Sequence, residues 1–327
     1  MSLDALYVNL TENTFNDVCG FNIPRCMKYE DLPYEYIEPR VLETGSYGKV
    51  SVYKKKYKHD KHDDKEPKEL FCIKEIELTD DILSDKDEIC DIIKEYYILN
   101  YIACGNPYVL CFIECILNAE YIWLITTYEL GAMDLMDYVF KYRNTFTSSD
   151  ILNTSDQLVQ GLIFLHSKGI YHLDIKPDNI LYNTNTKTVK YIDFGLSCLA
   201  THRCSPAGTN EYCPPEIMSS YYDASVYYIK HSSQKEIQYP NIVYSKCDIY
   251  SLGITLYLLI SKKYPGDINM SGDSKTIIYD SIKPLFCKFG LEDLCNVILN
   301  MIDIDPDNRP SLGVINETIQ AVKIKNK

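Results

Sequence analysis

Three groupings of residues in this sequence are of types and spacings that could do chemistry. The first is Glu43-Thr44-Gly45-Ser46-Tyr47-Gly48-Lys49-Val50, a strand-turn-strand pattern with two glycines. Glycine lets the backbone approach phosphate oxygens and offer N–H groups to them, so the segment fits a flap over phosphates. A plain hairpin with glycines at its turn fits the same residues. The absence of a following helix separates the pattern from a dinucleotide-binding turn. The second grouping is Lys74, which ends the apolar strand Phe71-Cys72-Ile73-Lys74 and needs an anionic partner there. Glu95, inside a helical stretch, can supply one. Taken singly, each also reads as a surface residue, a snorkelling lysine and a solvated glutamate. The third runs from Tyr171 to Leu181 and places Asp174, Lys176, Asp178 and Asn179 within six residues, with Asp193-Phe194-Gly195 starting fourteen residues after Asn179.

These groups need elements to hold them. Segments rich in Val, Ile, Tyr and Phe at Val41–Thr44, Val50–Tyr57, Leu70–Ile76, Val109–Leu117 and Tyr121–Thr127 predict five strands of an antiparallel sheet. One helix interrupts them, over Lys86–Ala103, where Ile89, Ile92, Ile93, Tyr96 and Leu99 recur at helical spacing. After Leu130 the pattern turns helical. Thr147-Ser148-Ser149-Asp150 resembles a capping box, and the stripe Ile151, Leu152, Ser155, Leu158, Val159, Leu162 and Leu165 continues from it to a stop near His166 and Gly169. A small sheet element is expected around Val189–Ile192. The run Ile249–Ile260 is apolar nearly all round, which predicts a helix buried on most faces. Strands first and helices later predict an α+β, two-lobed chain. Residues 1–35 read as an extension that packs on the body or moves freely.

The third grouping, together with motifs further along the chain, resembles the eukaryotic protein kinase family, serine/threonine branch. In family order come the catalytic-loop segment Tyr171-His172-Leu173-Asp174-Ile175-Lys176-Pro177-Asp178-Asn179, then Asp193-Phe194-Gly195, then Gly208-Thr209 leading to Pro214-Pro215-Glu216. Asp248 to Gly253 and Asp305 to Pro310 resemble helical-lobe motifs of the same family. The resemblance covers roughly residues 36–322 and implies an N-lobe over 36–128, a C-lobe over 129–322 and an insertion around 219–243.

The resemblance implies transfer of the γ-phosphate of ATP to Ser or Thr hydroxyls of protein substrates. Asp174 would orient the acceptor hydroxyl and take its proton, with Lys176 beside the transferring group. Asn179 and Asp193 would hold magnesium, or manganese, and Lys74 paired with Glu95 would grip the phosphates. Gly45, Ser46, Tyr47, Gly48 and Val50 would cover the nucleotide. The adenine would lie against Thr126, Thr127 and Tyr128, with Thr126 guarding the back pocket. Glu216, Arg309 and Asp248 take structural roles, and Asp134 and Asp178 would favour basic residues before the phosphosite.

Two positions depart from the family pattern. Glu43 stands for the first flap glycine. Leu173 stands for the arginine that ordinarily receives a phosphorylated activation-loop residue. Activity without activation-loop phosphorylation is therefore expected, and Ser197, Thr201 and Ser205 are the hydroxyls that test it. The alternatives are a catalytically weak, nucleotide-binding pseudokinase scaffold, suggested by Glu43, and a related enzyme acting on small molecules.

Composition narrows the setting. A net charge of −13 disfavours nucleic-acid binding, which needs clustered cations to neutralise phosphates. The longest apolar run, Ile249–Ile260, falls short of the roughly 20 residues that span a bilayer. Thirteen cysteines without a CxxC pair read as thiols, and the N-terminus does not resemble a signal peptide. The expected setting is intracellular, cytoplasmic or nuclear, with protein substrates, no membrane association and a monomeric chain.

Overall fold

Runs rich in Val, Ile, Tyr and Phe carry the first part of the chain into a sheet, and a 3.6-residue apolar period carries most of the rest into helices. The computed structural model describes residues 25–45, 48–56, 69–141, 146–201, 204–219, 242–263, 283–284, 286–287 and 290–326. The chain divides into two units. One runs to Asn106 and includes Leu110–Leu130; the other comprises Pro107–Val109 and the chain from Gly131.

The first unit is built on a six-stranded sheet: β1 (Arg25–Cys26), β2 (Tyr34–Gly45), β3 (Gly48–Lys55), β4 (Leu70–Glu77), β5 (Phe112–Leu117) and β6 (Tyr121–Thr127). Their order is β1-β5-β6-β4-β3-β2. The predicted five strands are present and pair antiparallel. A sixth, β1, adds in parallel along β5, with Arg25 opposite Ile116. Between β4 and β5 lie a short helix, α1 (Asp80–Ser84), and the longer α2 (Lys86–Ile102), which ends one residue before the predicted boundary. Ile89, Ile92, Tyr96 and Leu99 are buried as predicted, and from Glu95 to Asn100 α2 is buried on every face.

The segment before Tyr36 is structural wherever it is described. Leu32 and Tyr34 are buried in a cluster with Phe71, Ile73, Ile116, Trp123 and Ile125. Phe71 and Ile73 share one face of β4, and Lys74 lies on the other. Arg25 pairs with Glu114 at 2.5 Å, and the Tyr34 hydroxyl donates to Glu114 at 2.6 Å. Tyr29 lies 5.8 Å from the Trp123 ring. This placement was not legible in periodicity because β1 is two residues long and the burial is supplied by single side chains. Deleting residues 1–35 is expected to destabilise the chain by about 3–6 kcal/mol, from the loss of two buried side chains at roughly 1.5–3 kcal/mol each. Denaturant melts of the truncated and full chains measure this, and equal midpoints would refute it.

The second unit follows the predicted helices. A three-stranded sheet joins β7 (Ala132–Asp134), β9 (Ile180–Asn183) and β10 (Thr188–Tyr191), and a two-stranded one joins β8 (Ile170–Tyr171) to β11 (Cys198–Leu199). Helix α3 spans Ser148–Ser167, and its capping box is complete: the Thr147 hydroxyl accepts from Asp150 N–H while the Asp150 side chain accepts from Thr147 N–H. Helix α4 (Tyr244–Ser261) is buried continuously from Cys247 to Ile260, as its all-round apolar sequence requires. Helices α5 (Glu292–Met301) and α6 (Leu312–Lys325) follow. Among the described residues, no helix is long and apolar enough to cross a membrane. Most of the insertion expected around 219–243 lies outside the described residues.

The cysteines depart from expectation. Cys104 is paired with Cys111, and Cys198 with Cys204, while eight described cysteines are thiols. Spacings of seven and six residues carry no recognisable signal. The chain reverses between the end of α2 and the start of β5, and that reversal brings the first pair together.

Candidate active site

In the first unit the sheet and α2 place one cation against one anion. Lys74, at the centre of β4, stands opposite Val50 on β3 and Leu124 on β6. Its Nζ donates to both carboxylate oxygens of Glu95, at 2.9 and 2.7 Å. Glu95 is buried, so the pair is a required contact, since an unpartnered carboxylate there would be strongly unfavourable.

The glycine segment forms a β2–β3 hairpin in which Gly45 faces Gly48 across the pair. Gly48 has φ 145°, and a Cβ there would collide with the carbonyl oxygen of Glu75. Glycine at 48 is thus required by the neighbouring strand itself. Ser46 and Tyr47 lie outside the described residues. At the far end of the sheet, Thr126 is buried and its hydroxyl donates to Cys72 O at 3.4 Å. The Thr127 hydroxyl donates to Glu129 at 3.3 Å, and Tyr128 N–H to Leu70 O at 3.2 Å.

In the second unit, three residues, Lys176, Asn179 and the more distant Thr209, meet at the Asp174 carboxylate. Asp174 Oδ1 accepts from the Thr209 hydroxyl at 2.7 Å and from Thr209 N–H at 2.9 Å. Its Oδ2 accepts from Asn179 Nδ2 at 2.7 Å and lies 3.0 Å from Lys176 Nζ. The same Thr209 hydroxyl accepts from Lys176 Nζ at 2.8 Å. Thr209 therefore belongs to the site although the sequence placed it only in a neighbouring motif. Burial raises the pKa of Asp174, but the Thr209 hydrogen bond and the Lys176 charge outweigh it, and the net shift is downward. The group stays ionised at neutral pH.

The backbone around Asp174 is held from below. Asp248, fully buried on α4, accepts from His172 N–H at 2.9 Å, Leu173 N–H at 2.8 Å and faces His166 Nε2 at 2.8 Å. These bonds secure Leu173 in the left-handed region, φ 62°, which a leucine adopts only when its surroundings impose it. His172 is packed, its Nε2 against Ile192 O at 3.1 Å. Gly208 presses on the Leu173 carbonyl with no room for a side chain.

Asp193 is exposed at φ 59°, its Oδ1 accepting from Gly195 N–H at 3.2 Å. The Asn179 amide nitrogen is engaged by Asp174, and its carbonyl oxygen is of the donor type a hard cation takes. One exposed carboxylate and one amide oxygen suit a metal completed by water and phosphate oxygens. Among the described residues there is no cluster of three or more His, Cys, Asp or Glu that would bind a metal unaided. The residues present fit a metal that arrives with its nucleotide.

The protein kinase domain family matches residues 36–321. This chain is a member of that family. Its bilobal α+β elements, a sheet unit and a helical unit, are those of a protein kinase, and kinases of this family use ATP and a divalent metal ion. The chain is 32% identical over 53% of its length to striated muscle preferentially expressed protein kinase of Danio rerio, of which it covers 5%. It is 28% identical over 61% of its length to serine/threonine-protein kinase stk11 homolog of Dictyostelium discoideum, covering 34% of it. With serine/threonine-protein kinase Nek8 of Danio rerio it shares 26% identity over 86% of its length, covering 36% of that protein. The chain thus covers well under half the length of each of these three relatives.

Thr209 gives this member of the kinase family a testable pH signature. With its pKa depressed by folding, Asp174 contributes stability that is present above the unfolded carboxylate value near 3.9 and lost as pH falls through the folded value. Thr209→Val removes the hydroxyl bond and is expected to raise the Asp174 pKa and shift the acid limb of the stability profile to higher pH. Unfolding measured between roughly pH 2 and 5 reads this; superimposable limbs would contradict it.

Proposed function

We propose that this kinase transfers the γ-phosphate of ATP to serine or threonine hydroxyls of other proteins. The observation that carries the reading is the Asp174–Lys176–Thr209–Asn179 network, in which a threonine of the segment before Pro214-Pro215-Glu216 joins the carboxylate and lysine of the catalytic loop. The serine/threonine-kinase relatives support the hydroxyl preference.

In this reading Lys74, oriented by Glu95, grips the nucleotide phosphates, Gly45 to Val50 cover them, and Thr126 to Tyr128 border the adenine. Asn179 and Asp193 hold magnesium, which when bound neutralises charge on the phosphate oxygens. Asp174 orients the acceptor hydroxyl and takes its proton. The lowered pKa keeps this carboxylate ionised, so it can accept the hydroxyl's hydrogen bond and then its proton as the bond to phosphorus forms. Lys176 stabilises charge on the transferring group.

Burial raises the pKa of Asp134, with the Asp137 and Asp178 carboxylates adding to the shift and backbone hydrogen bonds opposing it. A basic substrate residue would relieve that repulsion, which supports a preference for cationic residues before the phosphosite. We assign the chain to the cytosol or nucleus, acting as a monomer on protein substrates.

The test is label transfer from radiolabelled ATP with magnesium to generic proteins, with phosphoamino-acid analysis of the product. Phosphoserine or phosphothreonine supports the reading. Nucleotide binding without transfer would establish the scaffold alternative.

Independence from activation-loop phosphorylation rests on Leu173. It is buried among Cys198, Cys213, Ile217 and Cys247, and among the described residues packed there none is a cation that could receive a phosphate. Ser197 is fully buried and donates to His172 O at 3.1 Å, so its role is structural. The exposed candidates reduce to Thr201 and Ser205. Their joint replacement by alanine is expected to leave turnover within about twofold, in line with a surface change of less than 0.5 kcal/mol. A collapse restored by acidic residues would reverse the assignment.

A further inference from the structure

Four cysteines gather in the cluster around Leu173. Cys198, Cys213 and Cys247 are buried there, and Cys204, Ala207, Tyr171 and Tyr244 pack against them. We propose that Cys198 and Cys204 form a reversible oxidation site that fastens the segment between Asp193 and Glu216 in the arrangement where Thr209 meets Asp174. The proposal rests on the kinase reading and adds its regulation.

The geometry gives the pair its leverage. Cys198 lies on β11, opposite Tyr171 on β8, just ahead of the catalytic loop. Cys204 lies four residues before Gly208, which presses on the Leu173 carbonyl. The Cα atoms of Cys198 and Cys204 are 5.6 Å apart, within the range a disulfide spans without backbone movement. The Tyr244 hydroxyl donates to Cys204 O at 2.9 Å, holding that residue against α4. With the bond made, the chain between the β11 anchor and the Gly208–Thr209 anchor is a short tether. With it broken, Cys204 is no longer tied to β11, and the described stretch from Cys204 to Gly208 has more conformations in which Thr209 is away from Asp174.

The remaining thiols of the cluster do not compete. Burial holds Cys213 up to about 12 and Cys247 higher, so both stay protonated and are poor nucleophiles. Cys204 is partly exposed whereas Cys198 is buried, which makes Cys204 the sulfur that meets an oxidant. With hydrogen peroxide, the Cys204 thiolate attacks a peroxide oxygen, giving sulfenic acid and hydroxide. The Cys198 sulfur then attacks the sulfenic sulfur and expels a second hydroxide. The two protons lost by the thiols complete two waters, and the peroxide takes both electrons. A dithiol reductant reverses the change by exchange. In a reducing compartment such a pair acts as a sensor, because a permanent bond would not persist.

The experiment uses the full chain, treated with hydrogen peroxide or dithiothreitol, with peptide mapping of alkylated protein and label transfer to casein measured in parallel. The mapped 198–204 link is expected to appear and vanish with treatment, and transfer to fall severalfold on reduction and return on oxidation. C198S and C204S should each sit at the reduced level and ignore both reagents, while C104S/C111S should still respond. Protease nicking of the segment 199–207 should be faster in the reduced protein, a readout independent of phosphotransfer. If the chain transfers no phosphate in either state, the kinase reading fails, and nicking alone decides whether the pair fastens the segment. Equal nicking and equal transfer in the two states, with the link shown to be made and broken, would overturn the proposal. Failure of the link to form in peroxide would overturn it too.

Discussion

Replacing Arg309 with alanine is expected to destabilise the helical unit by about 3–5 kcal/mol, the range for removing one partner of a buried ion pair. The Arg309 side chain has no exposed surface. Its guanidinium donates to Glu216 through Nη1 at 2.6 Å and Nη2 at 2.8 Å, to Lys246 O at 3.0 Å, to Ile304 O at 3.3 Å and, through Nε, to Asp303 O at 2.8 Å. It also lies 4.9 Å from the centre of the Tyr250 ring. Alanine would strand the Glu216 carboxylate and three carbonyls at once. Lysine preserves the charge but cannot reproduce a forked contact with five donors, so Arg309→Lys is expected to recover only part of the loss. Chemical denaturation of the three proteins checks the order wild type, lysine, alanine. A stability for the alanine variant within 1 kcal/mol of wild type, a rough limit for ordinary surface contacts, would remove Arg309 from the framework.

Asp174→Asn is expected to act in the opposite way, lowering phosphotransfer by about 10²–10⁴-fold while the fold stays intact. Asparagine keeps the shape and can still accept from Thr209, but it cannot take a proton, and it leaves the Lys176 charge without its carboxylate. Asp193→Asn should also abolish most transfer, through the metal. The pair is separated by titrating magnesium: added metal is expected to restore part of the Asp193→Asn activity and none of the Asp174→Asn activity. Transfer by Asp174→Asn at near wild-type rate would remove that residue from the acceptor side of the chemistry. Asp248→Ala is the instructive contrast. It would strand two backbone N–H groups at about 1–3 kcal/mol each and release the strained Leu173, so stability and turnover should fall together.

Much of this architecture was readable in one dimension because it depends on local rules. The capping box at Thr147 and Asp150, the α2 stripe and the all-apolar α4 arise from spacing alone, since each residue's environment is set by neighbours three or four positions away. Chain order likewise carried the catalytic-loop and Asp193-Phe194-Gly195 groups. Long-range placement was less legible. Nothing near Leu32 and Tyr34 announces that they complete a core with Trp123 and Ile125, and nothing near Thr209 says that its hydroxyl is shared between Asp174 and Lys176.

The amino-acid order alone thus established the longer strands and helices and which charged groups the chain possesses, because helix, strand and turn preferences act over a few residues; two- and three-residue strands such as β1 and β7 lie below that signal. Folding in three dimensions settled which of those groups meet, which sulfurs pair, and that Asp174 holds its charge more tightly than a free aspartate. Those properties depend on burial and on partners dozens of residues away, whose approach no local pattern encodes.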